Sequence, residues 1–450
     1  MRPGTSVARS RSRSLRPVAG VALLLGTMLA GARQPVAARM PTPTPPATAA
    51  RLLRTVGVGR EPVALAVDEQ ASRVFVVGAA GSVTTLNATT GVVIRTVAVG
   101  RGAQAVAVDD ATGRVFVTDP GRVFMLDART GAVLRAFPLN GGIESQSNLI
   151  IDETHGEVFV ATRGAAASNP VAPPHPGSIV VLDATTGRTK RAIQVDADLL
   201  VVDSRARRLI LPYTGCGTTD AATSDACADT LNAATGRRIK TVDFGGEEGF
   251  TQQVSAVTVD VKAGRAFVLY GDGRGVSAVG ALDTRTGVRQ VALGGAGGTL
   301  GTLTVDERAG RILIATAPDS YAAGSEYGPP RTAFVSVLDT RSGLDVANTT
   351  VRTASQAYVF VPGAVADPQR GRFYVVATLY PTATAVLSRS ILDVFAASSG
   401  RLVRTLTLPT TVGQPNASVG PAMAVDERTG HLFIANGGNN TVNVFDTARL

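Results

Sequence analysis

The chain has 450 residues, of which 44% are hydrophobic, with no Trp, 49 Gly and 24 Pro. This composition favours many short strands and turns over long helices, so we expect an all-β protein. The net charge of +9 lies mainly in residues 1–50, which carry seven Arg and no acid and leave +2 for the rest. A nearly neutral body gives no reason to expect nucleic-acid binding.

The first 32 residues have the layout of a secretory signal peptide. An Arg-rich start is followed by an apolar run at 18–29 and by small residues at 30–32. The run is short for a membrane span, although an uncleaved membrane anchor remains the alternative. Residues 33–50 form a Pro/Thr-rich linker with no core of its own. We therefore expect a secreted or extracytoplasmic protein whose folded body occupies residues 51–450.

The folded body consists of near-copies of one segment, which residues 103–139 show most clearly. Each copy contains four short strands joined by tight turns, and a period of roughly 40–60 residues with four strands indicates a β-propeller blade. The first strand of every copy is apolar and ends in Asp. The eight acids are Asp68, Asp109, Asp152, Asp203, Asp260, Asp306, Asp367 and Asp426.

The other strands of the repeat also have recognisable patterns. The second strand is aromatic or branched, as in Val115-Phe116-Val117, and the third ends in a turn such as Asp127-Ala128-Arg129-Thr130-Gly131. The acid of that turn can accept bonds from backbone N–H groups, and its Gly supplies a positive φ. We interpret the repeated acids as turn stabilisers. The fourth strand carries a cation, which protects an exposed sheet edge from foreign pairing.

The two ends of the body complement each other. The last repeat stops after its third strand, whereas residues 53–59 match the fourth strand at 94–100 and precede the first complete repeat. The N-terminal strand therefore completes the last blade and closes the ring. We predict a single β-propeller of eight four-stranded blades. Seven blades is the alternative if residues 195–242 or 351–404 do not form a blade.

The repeat resembles the YVTN-type β-propeller family over about residues 51–450. Its strands at 106–109, 115–119, 123–127 and 132–141 correspond to the VAVD, VYVTN and VSVID segments and to the closing strand that ends in VG. The chain lacks a literal YVTN, has longer loops and exceeds the seven blades typical of that family. The resemblance implies an extracytoplasmic protein with a binding role.

Antiparallel strands divide the connections between two faces of the ring. Connections from strand one to two and from three to four are uniformly short. The others vary widely in length, and insertions collected on one face of a repeat array usually form its binding surface. We expect the function on this long-loop face, although neutral drift of the loops is the alternative.

The first group of candidate ligand-binding residues is an unusual cluster in a long loop, namely Asp319, Tyr321, Glu326 and Tyr327. Tyr beside carboxylates can stack on a sugar or dock a protein, or can simply pack the loop against its blade. A second group precedes the first strands near the channel mouth, where a small polar ligand could bind or water could simply solvate the groups. This group comprises Arg60, Arg101, Gln104, Glu144, Asn148 and Gln252.

Cys216 and Cys227 are the two cysteines, and both fall in the connection between the second and third strands of blade 4. In an exported protein this pair predicts a disulfide. A metal site is the weaker alternative, because two Cys without nearby His supply half a ligand set.

We predict a non-catalytic monomer that binds a protein, a glycan or a small ligand through the long-loop face, and no cofactor. The alternative is a metal-assisted hydrolase of the lactonase type, in which a divalent cation at the channel mouth polarises a carbonyl.

Overall fold

The computed structural model describes most of the repeat region. The described residues are 52–139, 149–162, 177–195, 197, 199–216, 225–245, 252–271, 276–297, 300–317, 332–352, 358–380, 389–409 and 422–450. The predicted signal peptide at 1–32 and linker at 33–50 lie outside them. No described helix is long and apolar enough to cross a membrane.

The described strands form eight antiparallel sheets of four strands, which we number as blades 1 to 8. Blades 1 and 2 contain β2 Pro62–Asp68, β3 Arg73–Gly78, β4 Ser82–Asn87, β5 Val93–Ala98, β6 Ala105–Asp109, β7 Arg114–Asp119, β8 Arg122–Asp127 and β9 Val133–Pro138. Blades 3 and 4 contain β10 Leu149–Asp152, β11 Glu157–Thr162, β12 Ser178–Asp183, β13 Thr189–Gln194, β14 Val201–Asp203, β15 Arg208–Cys216, β16 Asp225–Asn232 and β17 Arg238–Asp243.

The second half of the chain repeats the same order. Blades 5 and 6 contain β18 Gln253–Asp260, β19 Arg265–Gly271, β20 Val276–Asp283, β21 Arg289–Gly297, β22 Leu300–Asp306, β23 Arg311–Ala317, β24 Thr332–Asp339 and β25 Asp345–Arg352. Blades 7 and 8 contain β26 Tyr358–Asp367, β27 Arg372–Tyr380, β28 Arg389–Ala396, β29 Leu402–Thr407, β30 Met423–Asp426, β31 His431–Asn436, β32 Thr441–Asp446 and β1 Leu52–Gly57. A short 3-10 helix, Thr447–Arg449, follows β32.

The sheets form a closed ring, which confirms the eight-bladed propeller. First strands of successive blades contact each other all the way around, including β2 of blade 1 with β30 of blade 8. The chain start completes blade 8, because β1 pairs antiparallel with β32 from Leu52 opposite Phe445 to Gly57 opposite Thr441. The seven-blade alternative is wrong, because the two irregular repeats form complete sheets as blades 4 and 7.

The core lies between neighbouring blades. Second strands are buried on both faces, and their central aromatic rings, such as Phe75, Phe116 and Phe433, have no exposed surface. One hydrophobic cluster joins Val56, Val442 and Val444 of blade 8 to residues of blade 1. Each fully buried ring of this kind contributes roughly 1.5–3 kcal/mol, so adjacent blades stabilise each other. Fourth strands remain largely exposed at the rim.

The repeated acids stabilise turns, as predicted. In blade 2, the Thr130 N–H and hydroxyl both donate to Oδ1 of Asp127, at 2.8 and 2.7 Å. The bond from the Thr130 hydroxyl is the main cause that lowers the pKa of Asp127. Gly131 adopts a φ of 67°, which an L side chain rarely accepts. The acid at the end of the first strand acts similarly, since Asp109 Oδ1 accepts from Thr112 N–H at 3.0 Å.

A buried hydrogen bond between blades 4 and 5 should contribute measurably to stability. Asp203 is 1% exposed, and its Oδ2 accepts a bond from the buried Thr284 hydroxyl of the next blade. We expect Thr284→Ala to lower the free energy of unfolding by about 1–3 kcal/mol, because it leaves a buried carboxylate oxygen without a donor. Thr284→Ser keeps the hydroxyl and should lose less than half as much. Urea denaturation of the three proteins tests this, and equal losses in both variants would contradict it.

Candidate functional site

The two faces of the ring differ sharply in the length of their connections. On one face, every first-to-second connection has four residues, and in blades 1 to 7 the third-to-fourth connection has five. We call this the short-turn face. On the opposite, long-loop face, the connections range from 2 to 15 residues. Because strand geometry is common to all blades, the differences between blades are concentrated on the long-loop face.

Much of the predicted site on the long-loop face falls outside the described residues. The predicted cluster of Asp319, Tyr321, Glu326 and Tyr327 belongs to the 318–331 connection, and Glu144 and Asn148 belong to 140–148. Their proposed binding roles therefore stay predictions. Arg60, Arg101, Gln104 and Gln252 are described.

The four described mouth residues precede the first strands of three different blades. Arg60 and Arg101 are exposed and come before β2 and β6, in adjacent blades. Gln104 is half-buried, its N–H donates to Thr118 O at 3.0 Å, and its Oε1 is buried without a hydrogen-bond partner. Gln252 is 6% exposed and precedes β18 of blade 5, across the ring from blade 1. Within the described residues, no hydrogen bond or ion pair joins any two of these four.

The backbone at the mouth is anchored where the ring closes. The Glu61 N–H donates to Asn440 Oδ1 at 2.8 Å, and Val58 N–H donates to Asn440 O at 2.9 Å. Both Glu61 and Asn440 adopt a positive φ, of 55° and 60°. This conformation is uncommon for residues other than Gly and is kept here by the bonds between blades 8 and 1. Arg60 is therefore presented from a fixed backbone.

The predicted disulfide is confirmed. Cys216 and Cys227 are bonded, with their Cα atoms 6.2 Å apart, and they join β15 to β16 at the base of the 217–224 connection. A cross-link closing a loop of this length stabilises by about 3 kcal/mol in the chain-entropy model. Asp243 has a carboxylate oxygen within 4.8 Å of both sulfurs. Because both thiols are oxidised, the sulfurs cannot act as thiolate ligands to a metal.

Sequence reasoning missed a set of acids on the short-turn face. Directly after the repeated first-strand Asp, five of the eight blades carry a second acid, and we call this set the acidic ring. Its members are Glu69, Asp110, Glu153, Glu307 and Glu427. The signal was available in the sequence, because aligning the repeats places an acid after Asp in most copies.

Three members of the acidic ring bond to the preceding blade. Glu69 accepts from Glu427 N–H at 2.8 Å, Glu153 from Asp110 N–H at 3.1 Å, and Glu307 from Val261 N–H at 2.9 Å. Each bond crosses from one blade to its neighbour, so these carboxylates join turns that are distant in sequence. They connect neighbouring blades around the channel mouth on the short-turn face.

A cavity of about 530 Å³ opens at the same mouth, where turns from blades 5 to 8 converge. It is lined by Lys262, Val305, Glu307, Arg308, Pro368, Gln369 and Glu427. Cations and acids alternate along this wall. In the part of the mouth formed by blades 1 to 3, burial and the nearby acids Asp68, Glu153 and Glu69 raise the pKa of Asp110 to about 7.

These features define the chain as an eight-bladed β-propeller with a variable face and an acid-rich opposite mouth. Solved structures similar to it include BamB from Moraxella catarrhalis, at a TM-score of 0.54 and 14% identity over 88% of this chain and 99% of that chain. The computationally designed Ika8 protein has a TM-score of 0.55 and 15% identity over 87% of this chain and 98% of that chain. Hydrazine synthase from Kuenenia stuttgartiensis has a TM-score of 0.51 and 15% identity over 87% of this chain and 96% of that chain.

At these identities the similarity shows the fold alone, because propellers host many unrelated functions. No family model and no curated protein matches the chain.

Proposed function

We propose that this protein is an exported, non-catalytic binding scaffold that recognises a protein, a glycan or a small ligand through its long-loop face. The observation that supports this most is the contrast between connections of 2 to 15 residues on that face and constant turns on the other. Binding residues are commonly carried by loops that a rigid scaffold positions. The closed ring supplies the scaffold, and each blade can present a different loop.

Within this proposal, the 318–331 connection is the main recognition loop. It contains Tyr321 and Tyr327 together with Asp319 and Glu326. Tyrosine rings offer a large apolar surface with a polar end, and carboxylates accept hydrogen bonds from sugar hydroxyls or protein N–H groups. Arg60 and Arg101, exposed at the channel mouth, would add contacts to an acidic or hydroxylated ligand.

The disulfide supports export. Disulfides persist in oxidising compartments, and the Cys216–Cys227 bond lies at the base of a loop on the proposed binding face. Together with the predicted signal peptide at 1–32, it supports a secreted or extracytoplasmic location. That the body acts as a monomer is a further part of the proposal.

The alternative, a metal-assisted hydrolase with its cation at the long-loop mouth, has weaker support. Two of the four described mouth residues, Arg60 and Arg101, carry guanidinium groups that repel a divalent cation, and the other two are amides. Carboxylates, the usual ligands of such ions, are absent from these four residues. Lactone hydrolysis that depends on an added divalent ion would favour the enzyme over the scaffold.

Shortening the main recognition loop tests the proposal. We would replace residues 318–331 by Pro-Gly, the two-residue connection of blade 2, and separately change Asp319, Tyr321, Glu326 and Tyr327 to Ala. Glycan arrays and capture from the extracytoplasmic fraction, read by quantitative mass spectrometry, measure binding. We expect both variants to lose at least about tenfold in affinity for the wild-type ligand, which is about 1.4 kcal/mol.

A matched control places the same kind of change on the other face. Arg129→Ala and Arg285→Ala remove exposed cations from five-residue turns of the short-turn face. This double variant should bind like the wild type, and all variants should keep the wild-type thermal midpoint. Undiminished binding by the loop variants, or a loss confined to the control, would contradict the proposed function.

A further inference from the structure

The fourth strand of every blade contains a β-bulge near its short-turn end. In blade 1, Val93 lies opposite Leu86 and Arg95 opposite Thr85, so Ile94 is an extra residue between two paired ones. The other blades show the same shift at the matching position. A bulge leaves its extra residue outside the ladder and can redirect that side chain. The bulge is common to the fold, whereas the residue that occupies it differs between blades.

Blades 7, 8, 1 and 2, which follow one another around the closed ring, place an exposed apolar side chain at this bulge. Their bulge residues, each 38–47% exposed, are Val403, Leu53, Ile94 and Leu134. Blades 3 and 5 carry Lys190 and Gln290 at this position. Of the eleven large hydrophobic side chains exposed among the described residues, eight lie on the fourth strands of these four blades or directly before them. Apolar exposure is therefore concentrated on one half of the rim.

An arginine directly follows the bulge residue in each of these four blades. The four arginines are Arg404, Arg54, Arg95 and Arg135. The fourth strands that carry them contain no Asp or Glu. Arg54, Arg95 and Arg135 are exposed, and within the described part of the chain no ion pair or side-chain hydrogen bond engages their guanidinium groups. We call the four bulge residues and these four arginines the rim band.

Protection of the sheet edge explains the cations of the rim band but not its apolar side chains. A charged residue suffices to prevent foreign pairing, whereas exposed Leu, Ile or Val favours association. The acids of the adjoining turns in blades 2 and 8 leave the band positive, because Asp127 pairs with Arg114 and Asp446 with Arg449. The band is therefore both apolar and cationic along four blades.

We propose that the rim band binds the surface of a bilayer that contains anionic phospholipids. An apolar side chain enters the boundary between headgroups and acyl chains, and the guanidinium beside it binds lipid phosphate. Each arginine near an anionic membrane surface strengthens binding by about fivefold. Because all four blades belong to one rigid ring, their contacts with the bilayer act together.

A lipid surface fits the rim band better than a protein segment does. The band follows the convex outer edge of the ring and presents its apolar side chains one per bulge, without a shared groove. A fluid bilayer can accommodate separate anchors of this kind. The chain also enters the described body within the band, at Leu52 of β1, so any membrane segment in residues 1–51 would join the body at the same edge.

The position of the rim band sets the orientation of the bound body. The acidic ring follows the inner first strands and is repelled by an anionic bilayer, so the contact is made by the edge of the ring and not by its flat face. The band lies at the short-turn ends of the fourth strands, which leaves the long-loop face directed away from the lipid. The inference does not rest on the proposed function, because it involves none of the long loops.

Flotation of the full chain with lipid vesicles tests this contact. Vesicles of equal parts phosphatidylglycerol and phosphatidylcholine are compared with vesicles of phosphatidylcholine alone. We expect binding to the anionic vesicles that weakens as salt is added. The double variant Ile94→Ser, Leu134→Ser should weaken it at least about tenfold, as should the triple variant Arg54→Gln, Arg95→Gln, Arg135→Gln. Both variants should keep the wild-type thermal midpoint, because they change exposed residues.

Blade 4 provides the matched control. Its bulge residue, Ile239, is 37% exposed and is followed by Lys240, but the bulges of the neighbouring blades 3 and 5 hold polar residues. The double variant Ile239→Ser, Lys240→Gln removes one apolar and one cationic group outside the rim band. It should bind the anionic vesicles like the wild type.

A fluorescent probe separates contact by the rim band from binding by the Arg-rich leader. A polarity-sensitive dye on Leu134→Cys should shift to shorter wavelength with anionic vesicles, whereas the same dye on Ile239→Cys should not. An unchanged spectrum for the Leu134→Cys probe, or equal vesicle binding by the wild type and both band variants, would overturn the proposal. Self-association that Ile94→Ser, Leu134→Ser abolishes, without vesicle contact, would also overturn it and would assign the band to a second copy of the chain.

Discussion

Deletion of residues 51–59 should lower the free energy of unfolding by about 5 kcal/mol or more. The deletion removes β1, and with it the edge of blade 8. The strand pairs with β32, the Thr55 hydroxyl donates to Asn443 Oδ1 at 2.9 Å, and Val58 N–H donates to Asn440 O at 2.9 Å. About four net hydrogen bonds at roughly 1 kcal/mol each, plus the burial of Val56, give this magnitude.

Because β1 closes the ring, its removal should have a larger effect than the loss of an ordinary edge strand. Val56 is 8% exposed and packs in the cluster between blades 8 and 1, so its loss opens the seam where the two ends of the chain meet. Urea and thermal denaturation measure the change. Deletion of residues 41–49, which belong to the predicted linker, is the control and should leave the midpoint unchanged. Equal midpoints for the two deletions would show that β1 does not close the ring.

Glu157→Gln should have the second largest effect, with a loss of about 3 kcal/mol at neutral pH. The Glu157 side chain is 4% exposed and accepts from three cations, Lys190 at 3.2 Å, Arg191 at 2.8 and 3.0 Å, and Arg207 at 3.4 Å. Removing one partner of a buried pair leaves uncompensated charge, which typically costs about 3–5 kcal/mol. We take the lower value because Lys190 and Arg207 are more than a third exposed and solvent screens them.

The pH dependence of this difference follows from the pKa of Glu157. Burial alone would raise it, but the bonds from Arg191 and Lys190 outweigh burial and lower it from 4.5 to about 2. An acid whose pKa is lower in the folded than in the unfolded state stabilises the fold above its unfolded pKa. This contribution is lost as the pH falls toward the folded pKa. The difference in the free energy of unfolding between wild type and Glu157→Gln should therefore be largest above pH 4.5 and should decrease toward pH 2.

A surface ion pair provides the control for this prediction. Arg449→Gln removes the partner of Asp446, whose carboxylate lies 3.4 Å from an Arg449 side chain that is 48% exposed. Exposed pairs contribute little, so the loss should be below about 1 kcal/mol at every pH. Guanidinium denaturation between pH 2 and 7 measures both variants. A gap for Glu157→Gln that stays constant down to pH 2 would contradict the assigned pKa.

The repeat made the fold predictable because each blade uses the same residues for the same physical purpose. The apolar first strand, its terminal Asp and the buried ring of the second strand recur every blade, and the match between residues 53–59 and 94–100 indicated closure. The irregular blade 4 was harder, because its first strand, Val201–Asp203, has only three residues. It is a blade because β15 to β17 complete the sheet.

The chemistry was less predictable, because its contacts cross between blades. Asp110 and Glu153 are each ordinary turn acids in their own repeats, and only the ring brings the Glu153 carboxylate to the N–H of Asp110. The bond from Glu427 to Glu69 joins residues at opposite ends of the body. Loop residues such as Tyr321 carry no repeated pattern at all, so the sequence identifies their composition and face without giving their arrangement.

Amide hydrogen exchange of the full chain tests the proposed binding face most directly. It is measured without ligand and again with a saturating amount of the ligand whose binding is weakened when the 318–331 connection is shortened. We expect protection in long-loop segments such as 163–176, 318–331 and 381–388, with unchanged exchange in the four-residue turns of the opposite face. Protection confined to those turns, or to the outer strands of the blades, would contradict the assignment of function to the long-loop face.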